Sequence, residues 1–230
     1  MQQVKSLADN SVQYGEPGRA FMDLVKNITF PCIAARSAVK SGRIAIYEAT
    51  HLACPADDIA ILNFLYDYID AYRESQDRFT SAAIIFHGPS QVSEDDFEIL
   101  LWQKLQTLHN LDSRKYSYDQ RVESEPGSKN FSFSLKEEAF FIIGLHPGSS
   151  RPARNFKYPA IVFNPHQQFE KLRADNIYEK MKTVIRKRDL DFNGSINPML
   201  SDYGERSETF QYSGKLYDSH WTCPLKINNE

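Results

Sequence analysis

The residues best suited to chemistry lie in one short segment, HPGSSRPAR, which runs from His146 to Arg154. It follows the apolar run 140–145, so a strand would hold His146 at its end. The imidazole can ligate iron, and the guanidinium groups of Arg151 and Arg154 suit carboxylates or phosphates. Further hydroxyl and backbone N–H donors come from Ser149 and Ser150. The segment therefore suits a haem or a phosphorylated ligand, although a solvated surface loop has the same composition.

His166 and Glu170 form a second candidate pair. Asn164 has the residue type of a helix N-cap, which places His166 in the first helical turn, where the helix dipole disfavours imidazolium. A neutral imidazole can ligate a metal, and Glu170, one turn later, could orient the ring or act as a base. His146, His166 and Glu170 could also form a two-histidine, one-carboxylate iron site, although their spacing fits no fixed template. The plain alternative is a partly exposed capping histidine.

The three cysteines are far apart, and none belongs to a Cys-x-x-Cys pair. Cys32 stands at the start of a predicted strand and could ligate haem as a thiolate. A free cysteine is more often a small buried apolar side chain. The odd, scattered set argues against a zinc site or a disulfide framework and favours a reducing cytoplasm.

The apolar patterns predict an α+β protein. Strands are predicted over 30–38, 43–47, 82–86, 131–135, 139–145 and 160–163, and helices from Pro55, Ser93, Asn164 and Asn176. Hairpin-like connections outnumber helical crossovers, which favours a mixed, largely antiparallel sheet with helices packed on it. We expect residues 1–15 to form a flexible arm and residues 16–230 a single domain. The last roughly 40 residues lack periodicity, which is typical of a segment that covers a site.

Composition excludes several classes of protein. The net charge of −3 and the isoelectric point near 6.1 lack the basic excess of nucleic-acid-binding domains. No apolar run approaches the roughly 20 residues that cross a bilayer, and the N-terminus does not resemble a secretion signal. A Walker A loop, a GxGxxG turn, a GxSxG elbow and an HExxH pair are all absent from the sequence.

The segment HPGSSRPAR resembles the YqcI/YcgG family. The likeness continues through PAIVFNPH (159–166), FEKLR (169–173), IRKRD (185–189), GSINPML (194–200) and QYSG (211–214), with FPC (30–32) and WTCP (221–224) near the two ends. It spans roughly residues 16 to 225, and the combined set is specific although each piece alone is not. Characterised members of this family use haem and oxygen to oxidise nitrogen, for example in guanidine or aminoimidazole groups of natural products.

The resemblance implies a haem-dependent N-oxygenase that uses O2 or peroxide, with haem b as the cofactor and an external electron donor. His146 would be the axial ligand, ahead of His166 and Cys32, and His166 would otherwise be a distal or second axial group oriented by Glu170. Arg151 and Arg154 would hold the propionates. The substrate would be a small-molecule guanidine or amine, without nucleic-acid or membrane partners, and the chain could form a homodimer.

A cationic guanidinium substrate calls for a carboxylate or an aromatic face in its pocket. Asp202 and Glu208 could supply the charge, and Tyr203 and Tyr212 the faces. Three other functions compete with the oxygenase: a non-haem iron oxygenase built on the two histidines and Glu170, a haem-binding or haem-sensing protein without turnover, and an anion-binding domain.

Overall fold

The computed structural model describes residues 14–75 and 77–228. The helices are α1 (Glu16–Lys26), α2 (Ile33–Lys40), α3 (Asp58–Ser75, preceded by a 3-10 turn over Pro55–Asp57), α4 (Glu94–Asp112), α5 (His166–Ala174), α6 (Tyr178–Asn193) and α7 (Thr209–Tyr212). The strands are β1 (Ile44–His51), β2 (Ser81–Gly88), β3 (Phe133–Leu135), β4 (Glu138–Leu145) and β5 (Ala160–Pro165).

The strands form one five-stranded sheet in the order β1-β2-β5-β4-β3. β1 and β2 are parallel because α3 carries the chain back between them, whereas the other three pairs are antiparallel. This confirms the predicted α+β fold with a mixed, largely antiparallel sheet in a single domain. The strands predicted within 43–47, 82–86, 139–145 and 160–163 are all present.

Apolar side chains cover both faces of the sheet. Successive residues of β2 point to opposite faces, so Ile84 joins the cluster under α3 and α4, while Ile85 joins the cluster under α1 and α2. The first cluster is rich in aromatic rings, including Phe97, Trp102 and Tyr212. Because helices cover both faces of the sheet, the candidate functional groups lie at the ends of its strands.

The predicted strand over 30–38 was wrong, because this segment turns into α2. Cys32 caps the helix, and its Sγ accepts a hydrogen bond from the Ala35 backbone N–H at 3.4 Å. Ala38 and Val39 are buried on one face. The run is rich in alanine, the strongest helix former, and a short apolar run does not distinguish a strand from a helix by its period.

Sequence reasoning also did not predict α1. Pro17 lies in its first turn, and Phe21 and Val25 are buried one turn apart. At Gly18 the backbone N–H donates to Oε1 of Glu48 at 3.1 Å, and a Cβ there would lie 2.7 Å from that oxygen and 2.8 Å from Cβ of Tyr14. Residues 1–13 of the predicted arm lie outside the described residues. Within the described part of the chain, no helix has the length and apolarity needed to span a membrane.

Candidate functional site

The register of β4 and β5 separates the two candidate histidines. Leu145 pairs with Ala160 at one end of this antiparallel pair, and Phe140 pairs with Pro165 at the other. His146 directly follows Leu145 and His166 directly follows Pro165, so about 20 Å of strand lies between them. One metal or one haem iron cannot contact both. Accordingly, within residues 14–75 and 77–228 no group of three His, Cys, Asp or Glu side chains could hold a metal ion.

His146 is enclosed by packing. Its residue is 1% exposed, and its ring stacks on Phe97 with 4.2 Å between centroids. Burial lowers the pKa of the imidazole to about 4, so the ring is neutral near pH 7. Nδ1 is buried without a hydrogen-bond partner among the described residues. The neutral imidazole suits a metal, but Phe97 covers one face of it.

The two arginines beside His146 are bound within the protein. Arg151 donates from Nη2 to Oδ2 of Asp189 at 2.9 Å and to the Ser195 carbonyl at 3.1 Å. Arg154 donates from Nη1 to the Gly144 carbonyl and from Nη2 to the Gln211 carbonyl, both at 3.0 Å. These bonds join the 146–154 loop to the end of α6 and to α7. Both guanidinium groups therefore act as internal clamps, and neither is free for a propionate.

The serines of this loop also have internal partners. The Ser150 backbone N–H and hydroxyl both donate to Oε1 of Glu94 at 2.8 Å, and the Ser149 hydroxyl donates to the Arg151 carbonyl at 3.4 Å. Gly148 lies against the Val92 backbone so closely that a Cβ would come within 2.1 Å of its carbonyl oxygen. The loop thus docks tightly onto the start of α4.

His166 opens α5, as the sequence predicted, but Asn164 is not its N-cap. Asn164 belongs to β5, where its side chain accepts a hydrogen bond from Ser81 Oγ at 2.7 Å and donates to the Phe141 carbonyl at 3.1 Å. Pro165 occupies the cap position instead. The strand therefore runs directly into the helix and holds His166 at the sheet's end.

Two carboxylates flank the His166 ring. Nε2 lies 3.3 Å from Oε1 of Glu170, one turn along the helix, and Nδ1 lies 3.7 Å from Oε1 of Glu208. The Glu170 side chain is 48% exposed, whereas those of His166 and Glu208 are each 8% exposed. The Tyr203 ring lies against the imidazole with 4.3 Å between centroids. The structure thus unites His166, Glu170, Glu208 and Tyr203, four of the residues singled out in the sequence.

Glu208 is held by hydroxyl groups. Its Oε2 accepts hydrogen bonds from Ser132 Oγ at 2.9 Å and from the Tyr212 hydroxyl at 3.4 Å. Burial and the nearby Glu208 charge raise the pKa of Tyr203 to about 12 and place the pKa of Tyr212 well above its usual value. Both phenols are therefore protonated, and Tyr212 can serve as a donor to the carboxylate. Ser132 was not identified from the sequence, because only strand pairing brings it here.

A cavity of about 190 Å³ opens in front of His166 and Glu208. Its wall combines apolar and aromatic side chains with charged ones: Phe141, Phe169, Tyr178, Arg173, Lys182 and Asp202. Lys182 binds Asp202 at 2.6 Å, and Arg173 pairs with Glu170 while covering the Tyr178 ring at 4.4 Å. Arg173 could have been found from the sequence, since it lies seven residues after His166 on the same helical face.

The cysteine side chains lie outside the His166 cavity, although Cys223 is close enough to Tyr212 to affect the pKa of that phenol. Burial raises the pKa of Cys32, and it raises that of Cys223 to about 12, so neither is a thiolate near pH 7. Cys32 instead caps α2 and packs in the cluster under α1 and α2. The cavity in front of His166 is not lined by a cysteine.

A second, larger groove of about 760 Å³ lies along α4, away from His166. Its wall includes Glu98, Trp102 and a buried ion pair between Lys104 and Asp58. The pair is enclosed, with each side chain 4% exposed, and Lys104 also donates to the Cys54 carbonyl at 2.9 Å. The ion pair is therefore satisfied, whereas the buried Nε1 of Trp102 has no hydrogen-bond partner among the described residues.

Comparison with known proteins identifies the family of this chain. The YqcI/YcgG family matches residues 21–226, nearly the whole chain and both ends of the β4–β5 pair. No curated protein and no solved structure matches it significantly. On the extent of this match, the chain belongs to the YqcI/YcgG family.

Proposed function

We propose that this chain is a haem-dependent oxygenase that oxidises a guanidine or amine nitrogen of a small molecule at the His166 cavity. The observation that carries the proposal is the buried His166–Glu208 pair on the wall of a cavity with aromatic and charged side chains. Perturbed or paired titratable groups that face a cavity are typical of functional sites. The resemblance described above supplies the reaction class.

Glu208 is the carboxylate of the cavity wall best placed for a cationic substrate, because Glu170 pairs with Arg173 and Asp202 pairs with Lys182. All three of these carboxylates lie at or beside the cavity. Carboxylates form bidentate hydrogen bonds with a guanidinium group, and tyrosine rings attract its planar face. Tyr178 and Tyr203 both line the cavity. The volume of about 190 Å³ is below that of typical drug-sized ligand sites, which suits a compact substrate.

The donor set around His166 has the chemistry of a haem site. Glu208 near Nδ1 would fix the tautomer and orient the ring, as carboxylates do for metal-bound histidines, and Nε2 would be the ligand atom. Arg173, Lys182 and Arg186 on the same wall would bind the propionates by exchanging their present partners, Glu170 for Arg173 and Asp202 for the other two. When bound, the haem would supply the activation of O2 or peroxide. A tetrapyrrole requires a wider cavity than the present one, so the wall formed by α6 and residues 200–203 must give way.

The residues of the chain have separate tasks in this proposal. Glu208 lies 3.7 Å from Nδ1 of His166, and Ser132 Oγ, which is 3.4 Å from that nitrogen, also donates to Glu208 and links the two side chains. Glu170 is half exposed and paired with Arg173, so its carboxylate beside Nε2 is in contact with solvent. An external electron donor completes the reaction. The iron site formed by His146 together with His166 and Glu170 is disfavoured by the separation of the two histidines.

The test compares two matched variants, His166→Phe and His146→Phe, in protein expressed with a haem precursor. We expect a Soret band in the parent and in His146→Phe, and its loss or shift in His166→Phe. Phenylalanine preserves ring packing, so His146→Phe retains the stack on Phe97. A colourless parent that takes up no added haem, or a band lost only in His146→Phe, would contradict the proposal.

Turnover is measured in the same preparations. Guanidines and amines supplied with a reductant and O2, or with peroxide, should yield products that carry added oxygen on nitrogen, as detected by mass spectrometry. A haem protein that shifts its spectrum with none of these compounds and forms no product would instead be a haem carrier or sensor.

A further inference from the structure

Four large aromatic rings form a continuous chain away from the His166 cavity. Tyr212 stacks on Trp102 with 5.9 Å between centroids, and Trp102 lies 6.0 Å from Trp221. Trp221 stacks on Tyr217 at 3.9 Å. Trp102 and Trp221 are the only tryptophans in the sequence. Both indoles of the chain therefore stand in this one series.

The inner end of the series touches the proposed active site. The Tyr212 hydroxyl lies 3.4 Å from Oε2 of Glu208 and equally far from the Phe140 carbonyl oxygen, and of these two acceptors only the carboxylate can take up the phenolic proton; Oε1 of Glu208 lies 3.7 Å from Nδ1 of His166. Tyr212 is fully buried. Glu208 is therefore placed to receive a proton from the phenol.

The outer end reaches the surface. Trp221 is partly exposed, and its Nε1 donates to Oε1 of Glu98 at 3.0 Å. Glu98 and Trp102 line the 760 Å³ groove along α4. The Glu98 carboxylate also binds Lys215 at 2.8 Å, which offsets part of the cost of its burial. A carboxylate thus accepts the N–H or O–H proton of a redox-active ring at each end of the series.

Packing alone does not require this arrangement. Aromatic pairs at these separations gain stability from ring contact without any carboxylate, and a buried carboxylate costs free energy. One-electron oxidation of a phenol or an indole makes its O–H or N–H strongly acidic, so a nearby base lowers the energy of the radical. Glu208 and Glu98 supply that base at the first and last steps.

We propose that Tyr212, Trp102 and Trp221 form a relay that carries oxidising equivalents from the His166 cavity to the groove along α4, with Tyr217 as a side branch. The proposal takes its oxidant, a one-electron oxidant formed from peroxide or O2 in the cavity, from the proposed function. The contacts between the rings do not depend on that function.

Each step balances. Tyr212 gives one electron to the oxidant and its phenolic proton to Glu208. Trp102 then gives one electron to the phenoxyl radical as Glu208 returns the proton. Trp221 reduces the Trp102 radical cation and passes its indole proton to Glu98. A small reductant such as ascorbate finally gives one electron to Trp221, whose proton returns from Glu98, and ascorbate releases a proton to solvent. The site is thereby protected when oxidant forms without substrate.

The experiment uses full-length protein without cofactor, so that it is independent of haem. Azidyl radicals produced by pulse radiolysis oxidise accessible tryptophan, and the tryptophan and tyrosine radicals are followed by their separate absorption bands. In Tyr217→Phe, which removes the side branch, we expect first-order decay of the tryptophan radical with matching growth of the tyrosine radical. This inward transfer is the relay run in reverse, so it tests the same ring contacts; in the working direction, consumption of the Trp221 radical by the reductant draws the transfer outward. The rate should not depend on protein concentration.

Two further substitutions in the Tyr217→Phe background locate the route. Trp102→Phe should abolish the growth, and so should Tyr212→Phe, which removes one hydroxyl and keeps the packed ring. The matched control is Tyr66→Phe, which removes a buried hydroxyl outside the series and should leave the growth unchanged. Growth that persists without Tyr212 or without Trp102 would overturn the relay, as would its absence in Tyr217→Phe itself. A failed haem test with intact transfer would remove only the proposed oxidant.

Discussion

The two ends of the β4–β5 pair each carry a buried histidine, His146 at 1% exposure and His166 at 6%. They differ in what surrounds the ring. At the His146 end, cations are abundant, and each is bound by carbonyl groups or by Asp189. At the His166 end, carboxylates approach both ring nitrogens and a cavity lies in front.

This contrast distinguishes the two regions by role: the His146 loop is a structural clamp, and the His166 cavity is the candidate functional site. The His146 loop gathers two arginines and two serines within six residues, yet its charges bind neighbouring parts of the chain, at α6 and α7. The His166 site combines Ser132, which directly precedes β3, with residues of α5 and of the 202–208 segment. In this protein the charged residues that are neighbours in sequence, in the His146 loop, stabilise packing. The charged residues around the His166 cavity come from distant parts of the chain.

The largest effect that tests this contrast is on stability. Arg151→Ala leaves Asp189 buried without its guanidinium partner, so we expect a loss of about 3–5 kcal/mol in the free energy of unfolding. The matched control is Arg173→Ala, whose side chain is 28% exposed and pairs with Glu170; it should cost about 1 kcal/mol or less. Urea denaturation measures both. Equal losses would remove the distinction between clamp and site.

The next effect is on binding. Glu208→Gln retains the shape of the side chain but removes its charge, which should weaken binding of a guanidinium ligand by about tenfold or more. Glu205→Gln alters an exposed carboxylate nearby and should leave the affinity unchanged. Isothermal titration calorimetry with a small guanidinium compound measures the affinity of the parent and of both variants. An unchanged affinity in Glu208→Gln would exclude this carboxylate from the site.

A smaller effect depends on pH. The folded pKa of His146, about 4, lies below the value of 6.5 for a free imidazole, so protonation favours the unfolded state. Its contribution to stability is complete above pH 6.5 and is lost as pH falls towards 4. His146→Phe should therefore lose less stability than the parent between pH 7 and pH 4.5, as measured by urea denaturation at each pH. The exposed His220→Phe should follow the parent, and a His146→Phe curve parallel to the parent would refute the assignment.

Much of the fold could be predicted from period and turn residues. The helices at 58–75 and 94–112 and most strands have clear patterns, and Ser93 caps α4 through its hydrogen bond with the Asp96 N–H at 3.0 Å. The segment 30–38 was predicted to be a strand and forms α2 instead, because its short alanine-rich run suits either element. α1 was hidden by Gly15 and Gly18, because glycine disfavours helices and their contact with the remote Glu48 is not visible in the sequence.

The sequence predicted individual residues of the site but not which of them lie together in the folded protein. His166 and Glu170 share a helical face, so their contact follows from spacing. Glu208 approaches the same ring only because the irregular C-terminal segment folds back over the sheet's end. The separation of His146 from His166 depends on the antiparallel register, which single residues do not encode.

The sheet order has a consequence for synthesis of the chain. β5 lies between β2 and β4, yet it is the last strand that the ribosome makes. Until residue 165 emerges, the inner edges of β2 and β4 have no partner, and unpaired strand edges favour aggregation. We therefore expect nascent chains that end before β5 to depend on chaperones, and the sheet to close in one late step.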